Sequence, residues 1–243
     1  MAGSEIMKDD LASVQFFVIG VGPGDPDLLT LKAVRLIGMA DVVAYPVTRS
    51  GESRARRTAG EFITALHVEV PYELEMSVDP KPAQRNYDAA AREIRGHLDA
   101  GRTVALLCEG DPFFYGSAMH VYERLASDYP TCVVPGVSSL TACAAAAGRP
   151  LARRNDVLQV VPAPLDEAAL ADAFGRCDAA VVIKIGRHFD KVRRAIEAAG
   201  RLDDAVLIAD AGGDAQEISR LSELTREQQI YFSTILIGSG RSS

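Results

Sequence analysis

The sequence predicts an α/β protein of two packed α/β domains with mostly parallel sheets. Three observations carry this. Short apolar runs alternate with amphipathic stretches along the whole chain, the pattern of strands joined by helices. Glycine- and proline-rich loops come directly after several of the apolar runs. The 243 residues suffice for one large domain or two small ones. A chain of that length buries roughly three quarters of its unfolded surface without a disulfide or metal staple.

Taken in order, the first apolar runs predict strands over Gln15–Gly20, Asp41–Tyr45, His67–Val70, Thr103–Cys108 and Thr131–Val134. Helices are expected between them at Leu28–Met39, Ser53–Leu66, Ala83–Ala100 and Ser117–Ser127. In Ala83–Ala100, Tyr87, Ala91, Ile94 and Leu98 recur at spacings of four, three and four, a core-facing stripe. A second series predicts strands over Val157–Val161, Ala179–Ile185, Ala205–Ala209 and Ile230–Ile237. The long irregular approach to the last of these leaves it free to run antiparallel. Helices of this series are expected at Ser138–Ala147, Glu167–Arg176, His188–Ala199 and Gln216–Leu221. The domain boundary is placed near Pro135–Gly136, giving domains of residues 1–135 and 136–243.

Composition narrows the function. The chain is 48% hydrophobic and 24% charged, as ordinary globular proteins are. Its longest apolar runs, such as Ala142–Ala147 and Ala179–Ile183, fall far short of the ~20 residues of a membrane span. Met1–Asp10 is polar and acidic, unlike a signal peptide, so a cytoplasmic protein is expected. A net charge of −7 disfavours nucleic acid as a partner. Cys108, Cys132, Cys143 and Cys177 form no C-x-x-C pair and read as reduced core residues. No His/Cys/Asp group has ligand spacing, so no protein-bound metal is expected.

Two loops carry the chemistry. Gly20-Val21-Gly22-Pro23-Gly24-Asp25-Pro26 comes after the first strand but fails as a dinucleotide fingerprint, because Asp25 and Asp27 stand where its third glycine would be. Both acids would repel a pyrophosphate and could cap the next helix. Glu109-Gly110-Asp111-Pro112-Phe113-Phe114 ends the fourth strand, where ligands bind in open α/β sheets. Carboxylates there suit a cation, and the aromatic pair suits a flat or apolar body.

The two loops, with three further segments downstream, resemble the tetrapyrrole methylase family over about Phe16–Ile237. The matching pieces are GVGPGDPDLLTLKA (20–33), EGDPFFYGS (109–117), VPGVSS (134–139), VVPAP (160–164) and VVIKIGRH (181–188). Within the family, AYPVTRSGESRARR (44–57), SSLTACAAAAGRPLA (138–152) and Glu109 in place of a glycine make the chain most similar to members that methylate precorrin-2 at carbon 20. The resemblance implies a homodimer of two-domain α/β subunits. Their S-adenosyl-L-methionine lies in the interdomain cleft, beneath a tetrapyrrole. It implies cofactor contacts from Pro23, Gly110, Asp111, Phe114, Ser138, Ser139, Ala163, Ile185 and Ala211.

Methyl transfer from a sulfonium needs alignment more than a nucleophilic residue. A proton must leave the methylated carbon, and Glu109 is the candidate to assist. The substrate carries eight carboxylates, which calls for arginines. Three basic clusters offer them: Arg49, Arg54, Arg56 and Arg57; Arg149, Arg153 and Arg154; Lys184, Arg187, His188 and Lys191. Arg49, Arg54, Arg153, Lys184 and Arg187 are the expected substrate contacts. Other readings stay open: methylation of the cobalt-bearing ring (cobalt-factor II), another tetrapyrrole methylase, an RNA or protein methylase, a nucleotide-binding oxidoreductase, or a non-catalytic binding module.

Overall fold

Phe16–Gly20 form β1, and all five residues are buried. A strand buried on both faces needs a sheet covered on both sides, and the first sheet has that form. The structure, a computed structural model, describes residues 10–74, 80–224 and 232–238. It divides into two compact units, Met1–Ser138 and Ser139–Ser243. All but the last residue of Met1–Asp10, and the first two of Ile230–Ile237, lie outside the described residues.

In the first unit β1 is succeeded by α1 (Leu31–Met39), β2 (Val42–Val47), α2 (Arg54–Thr58), β3 (Val68–Glu73), α3 (Pro80–Asp99), β4 (Val104–Cys108), α4 (Ala118–Leu125) and β5 (Thr131–Val134). The sheet runs β3-β2-β4-β1-β5, and every pairing in it is parallel. Strand alternation splits the core into two layers. Phe16, Val18, Val104 and Leu106 pack with Tyr87, Ala91, Ile94 and Leu98 of α3 and Val121 and Leu125 of α4. Phe17, Ile19, Ala105 and Leu107 pack with Leu36 and Ile37 of α1 and Ala55 of α2. Each such large apolar side chain contributes about 1.5–3 kcal/mol by leaving water.

Local chemistry sets the ends. Asp25 caps a short 3₁₀ turn at Pro26–Leu28, and the Thr30 hydroxyl then accepts from the Ala33 N–H to start α1. The expected helix over Ser53–Leu66 is broken: α2 stops at Thr58, and a 3₁₀ turn holds Gly60–Phe62. Gly60 is a poor helix residue at the point where the period fails.

The second unit contains α5 (Ser139–Ala146), β6 (Leu158–Pro162), α6 (Glu167–Gly175), β7 (Ala179–Ile183), α7 (Phe189–Ala198), β8 (Ala205–Ala209), β9 (Glu217–Arg220) and β10 (Ser233–Ile237). Its sheet runs β6-β7-β10-β8-β9. Here the expectation of mostly parallel pairing needs correcting. Among the described residues only β6 and β7 pair in parallel here, while β10 runs antiparallel between β7 and β8, and β9 pairs antiparallel with β8. The expected helix Gln216–Leu221 is in fact β9 and then a 3₁₀ turn, because Ile218 and its neighbours take the free edge of β8. Leu170 and Phe174 of α6 and Val192 and Ile196 of α7 pack on Val182, Leu207 and Ile235.

Candidate active site

In the first unit β1 and β4 are neighbours, yet β1 leaves through α1 on one face and β4 through α4 on the other. Their carboxyl ends therefore part to opposite sides, which is the switch point where open α/β sheets bind ligands. The two Gly-rich loops stand there. They are stitched together: Val21 N–H donates to the Cys108 carbonyl at 2.9 Å, Gly22 N–H to the Gly110 carbonyl at 3.2 Å, and Gly110 N–H to the Gly22 carbonyl at 2.8 Å.

The start of the β5 loop joins them. A Cβ on Gly20 would lie 2.6 Å from both the Gly110 carbonyl oxygen and the Gly136 nitrogen. The three strand ends thus meet backbone to backbone, and only glycine fits at Gly20 and Gly136. Gly110 takes φ +63°, and a Cβ there would point into open space. Asp111 locks the arrangement. One carboxylate oxygen accepts from Gly136 N–H at 3.1 Å and the other from Phe113 N–H at 3.0 Å. Phe114 is half-buried and meets Tyr115 edge to face at 5.1 Å. Tyr115 itself sits in the left-handed region at φ 56°, an unfavourable place for its side chain.

Glu109 lies part-buried at this junction, and its side chain has no hydrogen bond among the described residues. Burial pushes its carboxyl above the ordinary carboxylate range, against the pull of the Arg54 and Arg57 guanidinium groups. Cys108, immediately before it, is inert, its thiol pushed up to about 12 mainly by burial.

Not every expected residue falls in place. Arg54, expected at the substrate's carboxylates, is instead buried, and its Nε donates to the Pro23 carbonyl at 2.8 Å. Pro23 is buried with it. Arg56 forms a bidentate pair with Glu69 at 3.0 and 3.1 Å, and Glu69 also accepts from the Tyr45 hydroxyl. Arg49 is exposed and pairs with Glu73 at 3.4 Å.

In the second unit β6, β7 and β8 point the same way, since β7 and β8 both oppose β10. Ala163, Ile185 and Ala211, buried just past these strands, therefore share the same end of the sheet, at the carboxyl ends of the three strands. Ala163 N–H continues the ladder to the Ile183 carbonyl at 2.9 Å, and the Ile185 carbonyl accepts from His188 N–H at 2.7 Å. Lys184 and Asp210 precede Ile185 and Ala211 at φ 58° and 47°, so the chain turns sharply at both positions. Arg153, Lys184 and Arg187 are exposed. Ser138 closes the first unit and Ser139 opens α5 in the second.

The sequence holds no hint of Arg54's inward position, nor of the clamp role of Asp111. The strand-end positions of Gly20 and Gly136 are a usable signal for close backbone approach. Among the described residues, no three or more His, Cys, Asp or Glu side chains group so as to hold a metal ion, and no helix is long and apolar enough to cross a membrane.

The family of tetrapyrrole (corrin/porphyrin) methylases matches residues 15–225. The chain belongs to the tetrapyrrole methylases. Precorrin-2 C(20)-methyltransferase of a Sinorhizobium species is 39% identical over 227 residues, spanning 90% of this chain and 93% of that one. Cobalamin biosynthesis protein CobIJ of Mycobacterium tuberculosis is also 39% identical, across 92% of this chain but only 46% of its own length. Cobalt-precorrin-2 C(20)-methyltransferase of Salmonella typhimurium is 27% identical, across 92% of this chain and 95% of its own. A cobalt precorrin-4 methyltransferase structure superposes with a TM-score of 0.72 at 25% identity, covering 92% and 94% of the two chains. Uroporphyrin-III C-methyltransferase from Thermus thermophilus, solved with S-adenosylhomocysteine, shares the tetrapyrrole methylase fold at a TM-score of 0.66 and 24% identity, covering 92% and 97%.

Proposed function

We propose that this chain transfers a methyl group from S-adenosyl-L-methionine to carbon 20 of precorrin-2, giving precorrin-3A in cobalamin biosynthesis. The observation that carries the proposal is Glu109, a carboxyl without a hydrogen bond among the described residues, at the switch point of a chain 39% identical to a precorrin-2 C(20)-methyltransferase over nearly its whole length.

The residues fit a methyl donor of this kind. Gly110 leaves open space at the strand end, and Glu109 supplies negative charge for a sulfonium. S-adenosyl-L-methionine brings its own activated methyl; the chain's part is orientation and proton handling. Gly22, Pro23 and Gly110 hold the loop wall, and Phe114 offers an aromatic face beside it. Asp111 acts at one remove, by fixing Gly136. Glu109 accepts the proton released from carbon 20, and a raised pKa makes it a stronger base than an exposed carboxylate. In the second unit Ser139, Ala163, Ile185 and Ala211 are assigned to the donor, and Arg153, Lys184 and Arg187 to the carboxylate arms of the ring. Ser138 is assigned to the donor as well. The active form is a homodimer in the cytoplasm, as the family resemblance implies, and equilibrium sedimentation tests its size.

The cobalt-bearing ring is the second reading. It is disfavoured by the lower identity, 27%, to the cobalt-precorrin-2 enzyme. The deciding experiment supplies methyl-labelled donor with precorrin-2, with and without cobalt, and locates the label by NMR. Label at carbon 20 of the metal-free ring is expected. Label at another carbon, or turnover only with cobalt, would overturn the assignment.

A further inference from the structure

Arg54, Thr58 and Thr234 are the buried polar or charged residues among those described. Two of the three stand one turn apart on α2 and reach the same loop. Arg54 Nε donates to the Pro23 carbonyl at 2.8 Å. The Thr58 hydroxyl donates to the Arg54 carbonyl at 2.9 Å and lies 3.4 Å from the Gly24 carbonyl. The guanidinium also lies against the loop: a Cβ on Gly24, which has φ +146°, would come within 2.6 Å of an Arg54 terminal nitrogen. Burial raises the Glu109 carboxyl, and the guanidinium groups of Arg54 and Arg57, both on α2, pull it back down.

A guanidinium is costly to bury unless its hydrogen bonds are met, and replacing such a group with an apolar one often costs no stability. Stability is therefore a weak reason for this arrangement. The alternative reason is geometric. The loop over 22–24 is bridged to Gly110, one residue from Glu109. A group that fixes the Pro23 carbonyl therefore sets one wall of the junction.

We propose that Arg54 is a positioning residue for methyl transfer, pinning at Pro23 the loop that is bridged to Gly110 beside Glu109. In this role it acts through the Pro23 loop rather than by contact with donor or ring. The inference rests on the reading of this junction as a methyl-transfer site.

Two variants separate its two actions. Arg54→Lys keeps a positive charge but lacks the planar fork that reaches the Pro23 carbonyl. Arg54→Gln loses the charge as well. Binding of S-adenosylhomocysteine is measured by calorimetry, and the pH dependence of kcat by single-substrate turnover, alongside thermal melting. Both variants should bind S-adenosylhomocysteine about tenfold more weakly. Only Arg54→Gln should move the acidic limb of the kcat profile to higher pH, because removing this cation favours protonated Glu109 even with Arg57 still in place. In an E109Q background that movement should vanish while the affinity loss persists. Arg54→Lys carries the affinity test if Arg54→Gln does not fold. Wild-type protein that binds and methylates, with variants that match it in affinity and limb position, overturns the positioning role alone. A lowered melting point with the limb unmoved in Arg54→Gln also overturns it, as a purely structural residue would behave so. Wild-type protein that neither binds S-adenosylhomocysteine nor methylates overturns the inference together with the function it rests on.

Discussion

The Asp111 carboxylate accepts the Gly136 N–H at 3.1 Å, joining the loop after β4 to the loop after β5. Its second oxygen takes the Phe113 N–H, so each carboxylate oxygen has a backbone donor. Asp111→Asn puts an amide N–H where one of these acceptors stood. One bond should be lost, at a cost of about 1–2 kcal/mol. The expected readout is a melting temperature lower by several degrees and S-adenosylhomocysteine bound several-fold more weakly. Unchanged affinity in a folded variant would separate the clamp from the donor site.

Glu109 makes a different prediction because it is not used to build the fold. Burial raises its pKa, so the carboxylate needed as base is depleted as pH falls, from above the ordinary carboxylate value downward. The rate should fall on that acidic limb and be level above it. Glu109→Gln should slow single-turnover methylation about 10²-fold or more and abolish the limb, with S-adenosylhomocysteine affinity retained. The linkage has a definite sign. A carboxyl whose folded pKa exceeds its unfolded pKa opposes folding progressively as pH rises through that interval. Glu109→Gln should therefore melt higher than wild type at neutral pH and at the same temperature in strong acid.

The glycines at the junction divide by what a methyl group would meet. At Gly136 it would run into the Gly20 and Gly110 backbone, which has no flexible side chain to move aside. Gly136→Ala should cost about 1–3 kcal/mol from overpacking alone and disrupt the Asp111 bond with it. At Gly96, inside α3, nothing lies within 4 Å of the added carbon. Gly96→Ala should instead stabilise by about 0.5–1 kcal/mol, the helix cost of glycine against alanine. Chemical denaturation of both variants reads the contrast.

Periodicity discloses most of the fold because both layers of the first sheet depend on it. The stripe Tyr87, Ala91, Ile94 and Leu98 is buried as its spacing requires. The strand-end loops are visible too, since Gly and Pro punctuate the chain where β1 and β4 stop. Two features are not legible. The segment over Gln216–Leu221 is too short for a helical period to be told from an edge strand, and its pairing with β8 is set by a non-local edge. Arg54 sorts with the exposed arginines around it because charge along a sequence says nothing about direction. Its place is decided by the Pro23 carbonyl, thirty-one positions earlier.

Arg153 and Arg187 differ from Arg49, Arg54 and Arg56 in being uncommitted among the described residues. Both are exposed, and neither side chain has a hydrogen bond or ion pair among the described residues. Arg56, by contrast, already holds Glu69, and Arg49 meets Glu73. A guanidinium without a partner among the described residues can take a carboxylate arm without first breaking an ion pair there. In exposed settings such a contact contributes about 0.2–1 kcal/mol, so each of Arg153→Ala and Arg187→Ala should raise the tetrapyrrole KM by up to about fivefold. kcat and S-adenosylhomocysteine affinity should stay as in wild type, because neither residue lies at the donor positions. Screening by salt weakens these contacts, so the wild-type KM should climb with ionic strength and the double variant's should climb less. Identical slopes for the two proteins would move the carboxylate-binding surface away from Arg153 and Arg187.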